Sequence, residues 1–261
     1  EKFSVPSMPA PVLAEPSGRK GSIVPRKVPT DFVDAHACSP DGKIAFRMTA
    51  RGFEIQDAET FGALGLLDRP RCGLDSHWGF FSDDGKFLAL ALEGGDMQGP
   101  KRILGVWDVA SRRQMCEIDG VGRLDIRSAR FAPGAGRVFI GGPSAAVSIW
   151  DSTTGAKIRE FRAVPDGGAV IFTPDCRRAL ILQVPGGGFY DAAAKAMVKP
   201  RGGLVCVDLE TGAELYRNGG AAMSGGEISS DGRRLGGWMK NHSLVCDVAT
   251  GKVLHAIEGP N

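Results

Sequence analysis

The sequence predicts an all-β chain built from repeated four-stranded antiparallel units. Three observations point there. Glycine (37 of 261 residues) and proline (16) are plentiful and spread along the chain without a collagen period, as in folds of many short strands joined by tight turns. One Asp-Gly turn signature recurs along the chain, and a second landmark, an apolar pair ending in Asp, follows each copy.

The turn signature reads Ser39-Pro40-Asp41-Gly42-Lys43 and then Ser82-Asp83-Asp84-Gly85-Lys86. A looser copy runs from Ala132 to Arg137, and two more are Thr173-Pro174-Asp175-Cys176-Arg177 and Ser229-Ser230-Asp231-Gly232-Arg233. Its chemistry is that of a tight turn. Pro presets φ at the second position, Asp accepts backbone hydrogen bonds, and Gly takes the left-handed position that follows. Apolar stretches on both sides make each copy a hairpin with a short loop.

The second landmark is Ile55-Gln56-Asp57, Val106-Trp107-Asp108, Ile149-Trp150-Asp151, Cys206-Val207-Asp208 and Val245-Cys246-Asp247. A Thr-Gly turn stands behind the last three copies, at Thr154-Gly155, Thr211-Gly212 and Thr250-Gly251. Each unit therefore holds four strands: one before the Asp-Gly turn, one after it, one ending at the Asp and one beyond. The landmark Asp recurs at intervals of 39 to 57 residues, which suits a blade of roughly 40–45 residues with insertions better than a β-sandwich with similar turns.

This pattern resembles the blade of a WD-repeat β-propeller, in a divergent form of bacterial type. Trp107-Asp108 and Trp150-Asp151 carry the dipeptide that names the family; the other three copies lack the Trp. The resemblance covers about residues 31–261 and implies an all-β propeller of four-stranded antiparallel blades. Five blades are visible, at about 31–68, 75–119, 123–164, 167–218 and 222–258. Residues 1–30 form an arm too Pro-rich for a central strand (Pro6, Pro9, Pro11, Pro16, Pro25, Pro29). Three outcomes stay open: the five blades close on themselves, the arm adds strands to a sixth incomplete blade, or the chain is a piece of a larger propeller.

Bulk properties narrow the function. With 43% hydrophobic and 24% charged residues the composition is that of a globular protein with a packed core. A net charge of +2 is too balanced to call for a nucleic-acid partner, and no apolar run approaches the roughly 20 residues of a transmembrane helix. Cys38, Cys72, Cys116, Cys176, Cys206 and Cys246 form no C-x-x-C pair. They are expected to be unpaired, mostly buried thiols, which favours the cytoplasm over the periplasm or secretion; a Cys206–Cys246 disulfide is not decided by sequence. The chain opens on Glu1 instead of Met, which reads as a processed or trimmed start.

The best functional clue is a pair of lengthened connections between second and third strands, at 93–102 in blade two and 186–201 in blade four. Long loops on a rigid scaffold are where binding residues gather. The candidate partner-binding residues are Met97, Lys101 and Arg102 in the first, and Phe189, Tyr190, Lys195, Met197, Lys199 and Arg201 in the second. The Ala-rich centre of the second is expected to form one or two helical turns between its Gly and Pro flanks; the whole loop could equally fold back over its own propeller face. On the other end, Lys43, Lys86, Arg137, Arg177 and Arg233 follow the Asp-Gly turns as a ring of solvated charges.

Catalytic strings such as H-E-x-x-H, the Walker loop or G-x-S-x-G are absent, and His36, His77, His242 and His255 stand apart. No cofactor is expected. The reading is a non-enzymatic scaffold or subunit of a larger assembly that binds protein partners. The alternative is a propeller enzyme (hydrolase, lyase or oxidoreductase) with its site at the channel mouth, which would show as three or more acidic or His side chains converging.

Overall fold

The computed structural model describes residues 35–49, 51–68, 75–96, 99–119, 128–142, 145–164, 167–184, 189–191, 196–198, 202–239 and 242–258. The Pro-rich arm and any strand it adds lie outside these residues. Every strand below belongs to one compact unit, Asp34–Asn261.

Blade one is β1 (Ala35–Cys38), β2 (Ile44–Thr49), β3 (Gly52–Asp57) and β4 (Ala63–Leu66). Blade two is β5 (Asp75–Phe81), β6 (Phe87–Asp96), β7 (Gly99–Asp108) and β8 (Gln114–Asp119). Blade three is β9 (Ala129–Phe131), β10 (Arg137–Gly141), β11 (Ala146–Asp151) and β12 (Lys157–Arg162). Blade four is β13 (Ala169–Phe172), β14 (Arg178–Gln183), β17 (Gly203–Asp208) and β18 (Glu214–Asn218), with a small hairpin, β15 (Phe189–Asp191) and β16 (Ala196–Val198), between its second and third strands. Blade five is β19 (Gly225–Ile228), β20 (Arg234–Met239), β21 (His242–Asp247) and β22 (Val253–Glu258). In each blade, strands are neighbours in chain order and antiparallel.

Alternation along a strand gives each blade two faces. Between successive blades the forward face of one packs on the backward face of the next, so central strands buried on both faces, as in blade two, read as continuous apolar runs instead of alternating ones. Leu88-Ala89-Leu90-Ala91-Leu92 of β6 is buried throughout. Leu88, Leu90 and Trp107 face back to Phe46, Phe53 and Ile55 of blade one. Ala89, Ala91 and Val106 face forward to Val138, Ile140 and Trp150 of blade three. Phe139, Val147 and Ile149 of blade three then join Val170, Ile181 and Val207 of blade four. Leu180, Leu204 and Cys206 of blade four join Leu235, Leu244 and Cys246 of blade five.

The landmark Asp ends the third strand for a local reason. In all five blades the pairing of strands three and four slips by one residue just before it, at Ile55/Gln56, Val106/Trp107, Ile149/Trp150, Cys206/Val207 and Val245/Cys246. Such a repeated bulge bends the strand and terminates pairing. The Asp carboxylate then organises the turn beyond: Asp151 Oδ1 accepts from the Thr154 backbone N–H at 2.7 Å and its hydroxyl at 2.9 Å. Asp57, Asp108, Asp208 and Asp247 do the same with Thr60, Ser111, Thr211 and Thr250.

The Thr-Gly turn also has to fit against the neighbouring blade. Gly155 has φ of +71°, and a Cβ there would sit 2.7 Å from the Glu117 carbonyl oxygen of blade two. Gly155→Ala is therefore expected to cost about 2–4 kcal/mol, from left-handed strain plus a backbone overlap. Gly42, at the same φ of +71° with nothing within 4 Å, should cost only the strain, roughly 1–2 kcal/mol on Gly42→Ala. Urea midpoints of the two variants check this; equal losses would refute the blade-to-blade fit.

Candidate functional site

The antiparallel order puts the two kinds of connection at opposite ends of every blade. First-to-second and third-to-fourth turns share one end, and second-to-third connections share the other.

The turn end is short, regular and self-satisfied. Ser39 Oγ donates to Asp41 Oδ1 at 2.7 Å and accepts from the Ile44 N–H at 2.9 Å. Blades two, four and five repeat this with Ser82–Asp84, Thr173–Asp175 and Ser229–Asp231. The Ser39 hydroxyl bond, then the Lys43 backbone N–H, holds the Asp41 carboxyl below the usual range. Blade three has no such Asp, and Ala135 takes the left-handed position (φ 56°), as Cys176 does in blade four (φ 51°). Lys43, Lys86, Arg137, Arg177 and Arg233 are all exposed here. Lys43 lies 3.8 Å from Asp41 and Lys86 3.3 Å from Asp84, so the ring is in part locally neutralised.

Between blades three and four this end opens into a crevice of about 580 Å³, floored by Phe139, Ile149 and Cys176 and rimmed by Arg137, Arg177, Asp208 and Glu210. Its rim mixes both signs of charge and holds no histidine. Among the described residues no group of three or more His, Cys, Asp or Glu is placed to hold a metal. His36 lies in β1, His77 in β5, His242 in β21 and His255 in β22. Cys176, Cys206 and Cys246 are buried free thiols, Cys116 is half-buried and Cys38 exposed. Cys206 and Cys246 are not bridged. Burial pushes the Cys116 thiol up to about 11 and the Cys176 thiol up to about 12, so neither is a ready nucleophile.

The opposite end is irregular. In blade two the connection is not a loop: β6 and β7 stay paired through Glu93↔Arg102, Gly94↔Lys101, Gly95↔Pro100 and Asp96↔Gly99. It is a hairpin extended past the blade. In blade four the Ala-rich centre at 192–195, where the sequence suggests helical turns, lies outside the described residues, and its flanks pair as Phe189↔Val198, Tyr190↔Met197 and Asp191↔Ala196; Phe, Tyr and Val favour strands. Of the candidate residues, Arg102 is half-buried in β7. Lys101, Phe189, Tyr190 and Met197 are placed by their backbones on these hairpins, while Met97, Lys195, Lys199 and Arg201 lie outside the described residues.

Sequence reasoning missed the ties between blades. Trp107 Nε1 donates to the Asp68 carbonyl at 3.0 Å, Tyr216 Oη to the Val248 carbonyl at 2.8 Å, and Asn218 Nδ2 to the Gly251 carbonyl at 2.8 Å. Arg130 of blade three meets Asp83 of blade two at 3.2 Å. The missed polar trio is on blade one: Glu54 accepts from Arg47 at 3.3 Å and from Gln56 at 2.5 Å, on the face turned away from blade two.

Solved structures share this architecture. The Cps50 (Swd1) β-propeller domain of Myceliophteria thermophila superposes with a TM-score of 0.59 at 17% identity, over 85% of this chain and 69% of that one. The fold is a WD-repeat-like β-propeller. A chain of the mitotic checkpoint complex matches at TM-score 0.58 and 14% identity, over 100% of this chain and 76% of that one. A chain of Kuenenia stuttgartiensis hydrazine synthase matches at 0.51 and 17%, over 86% of this chain and only 59% of the synthase chain. No family model and no curated protein matches the sequence. Among the described residues no helix is long and apolar enough to cross a membrane.

Proposed function

We propose that this propeller is a protein-interaction platform, holding a partner at the end that bears the β6–β7 and β15–β16 hairpins. The observation behind this reading is the contrast between the two ends. Turns at one end are short and bonded to their own Asp residues, whereas both lengthened connections project from the other. A rigid propeller with elongated hairpins on one rim offers a preorganised surface with little ordering cost on binding. One structural neighbour is a chain of the mitotic checkpoint complex, which agrees with a scaffold role. Met97, Lys101, Arg102, Phe189, Tyr190, Lys195, Met197, Lys199 and Arg201 are the contact residues of this reading, a set of aromatic and Met anchors together with cations.

The test places a photo-crosslinker at Tyr190 or at Lys86, on opposite ends, in the full chain within its native host extract. Tyr190 is expected to give one discrete protein adduct, and Lys86 none. A probe at Arg102, which both trims retain, is expected to give the same adduct, and replacing 94–101 by a two-residue turn together with deleting 188–199 should abolish it while leaving the melting temperature unchanged. An adduct formed from Lys86 alone, or an Arg102 adduct that survives both trims, would sink the reading.

A further inference from the structure

The five turn cations are not equivalent. Four share their turn with an Asp. Lys43 lies 3.8 Å from Asp41 and Lys86 3.3 Å from Asp84, while Asp175 and Asp231 accept from the backbone N–H groups of Arg177 and Arg233 at 3.0 Å. Arg137 has no such neighbour, because its turn reads Ala132-Pro133-Gly134-Ala135-Gly136. Its partner across the β10–β11 pair is Asp151, whose Oδ1 is taken up by Thr153 and Thr154. Among the described residues neither Arg137 nor Arg177 forms an ion pair, and both are exposed.

These two arginines border the same seam. Both line the crevice of about 580 Å³ between blades three and four and a second cavity of about 760 Å³, and the two cavities also share Phe139 and Cys176. Together they make one trough, of the size of a ligand site. The second cavity adds an apolar ledge, Ala132 and the exposed Pro133. The first adds Asp208 and Glu210. The rim carboxylates differ in what they have left to offer. Asp175 Oδ1 is held by the Thr173 hydroxyl and the Arg177 N–H. Asp208 Oδ1 is held by the Glu210 and Thr211 N–H groups and the Thr211 hydroxyl. The Glu210 side chain has no partner among the described residues.

We propose that this trough binds a short peptide segment of a second protein, one that presents an apolar side chain, a carboxylate and a cation in that order. The carboxylate lies between Arg137 and Arg177, whose forked donors suit bidentate pairing. The apolar side chain rests on Ala132 and Pro133, and the cation reaches Glu210. Charge complementarity selects this occupant over others. A nucleic acid or a multiply charged phosphate would bring like charge onto Glu210 and Asp208, a costly juxtaposition. A single amino acid would leave most of the two joined cavities unfilled. The site stands at the turn end, opposite the hairpins, and does not depend on the partner proposed for them.

The test selects a phage-displayed library of random heptapeptides on the purified full chain. The recovered sequences are expected to share an Asp or Glu with an apolar residue on one side and Lys or Arg on the other, in either chain direction. A synthetic peptide of that consensus, followed by fluorescence anisotropy, should bind at least about tenfold more weakly to Arg137→Gln and to Arg177→Gln, the loss of a charge-assisted hydrogen bond. Glu210→Gln, at a solvated rim, should weaken it about two- to fivefold. Because all three side chains are exposed and unpaired, these variants should melt with the parent. Replacing both arginines by Glu should turn the selected central residue from acidic to basic. The absence of any enriched consensus, a consensus without a carboxylate, or affinity indifferent to both arginines overturns the proposal. So does peptide binding that trimming the two hairpins abolishes, since the peptide would then sit at the other end. The trimmed chain is expected to bind the peptide as the parent does, and Lys86 lines neither cavity, so this site and the hairpin reading fail separately.

Discussion

Trp107→Ala is expected to lower the unfolding free energy by about 3–5 kcal/mol, the range for emptying a large buried aromatic site. Trp107 is fully buried and is the largest such side chain among the described residues. It stands edge-on to Phe53 of blade one, with centroids 6.1 Å apart at 82°, and its Nε1 closes on the Asp68 carbonyl behind blade one. Its loss therefore removes packing, an aromatic contact and a tie between two blades at once. A domain stable by about 5–15 kcal/mol would be left marginal. Trp150 is the control. It is 7% exposed, bonds only to Ser148 of its own strand at 2.8 Å, and has Lys157 over its ring at 4.9 Å. Trp150→Ala should cost less by about 1 kcal/mol, the net worth of the missing inter-blade hydrogen bond. Urea titrations of both variants decide it. Equal losses would show that the Asp68 bond contributes nothing beyond burial.

The same contrast shows what could be read from residues alone. Strand order, the five first-to-second-strand turns and the five landmark Asp residues are local features, each written within five or six positions, and they recur in the structure. Trp107 and Trp150 look identical in sequence, and their different partners depend on what the neighbouring blade presents, which no local window contains. The β15–β16 pairing joins Phe189 and Tyr190 to Val198 and Met197 across the Ala-rich centre, a contact that no short window of sequence contains. Gly236 and Ser243 were legible in principle. They stand where the other blades have larger or apolar residues, Phe46 and Phe53, Phe139 and Val147, Leu180 and Leu204. Only the burial of those counterparts, against the exposure of Gly236 and Ser243, turns a composition difference into an exposed face.

Acid should unfold this propeller through its turns. Nine Asp carboxyls are held below their ordinary value: Asp41, Asp84, Asp175 and Asp231 in the first turn, and Asp57, Asp108, Asp151, Asp208 and Asp247 after the third strand. For eight of them the main cause is a hydrogen bond from a nearby Ser or Thr hydroxyl or backbone N–H. At Asp175 burial pushes upward most strongly, and the Thr173 hydroxyl with the Arg177 N–H outweighs it. Because the folded values lie below the unfolded one of about 3.9, the folded state binds fewer protons. Their stabilisation is fully present above roughly pH 4–5 and is lost as pH falls through the folded values. The melting temperature is thus expected to be flat from pH 7 to 5 and to drop steeply below 4. Asp151→Asn isolates one contributor, because its shift comes from Thr154 and Thr153 with no ion pair. The variant should melt lower than the parent at pH 7, and the gap should close at pH 3, where the parent has lost the same charge. Adding about 0.5 M salt should leave the pH 7 gap in place, since these bonds are too short to be screened. A gap that persists undiminished at pH 3 would show that Asp151 acts through the shape of the turn instead of its charge.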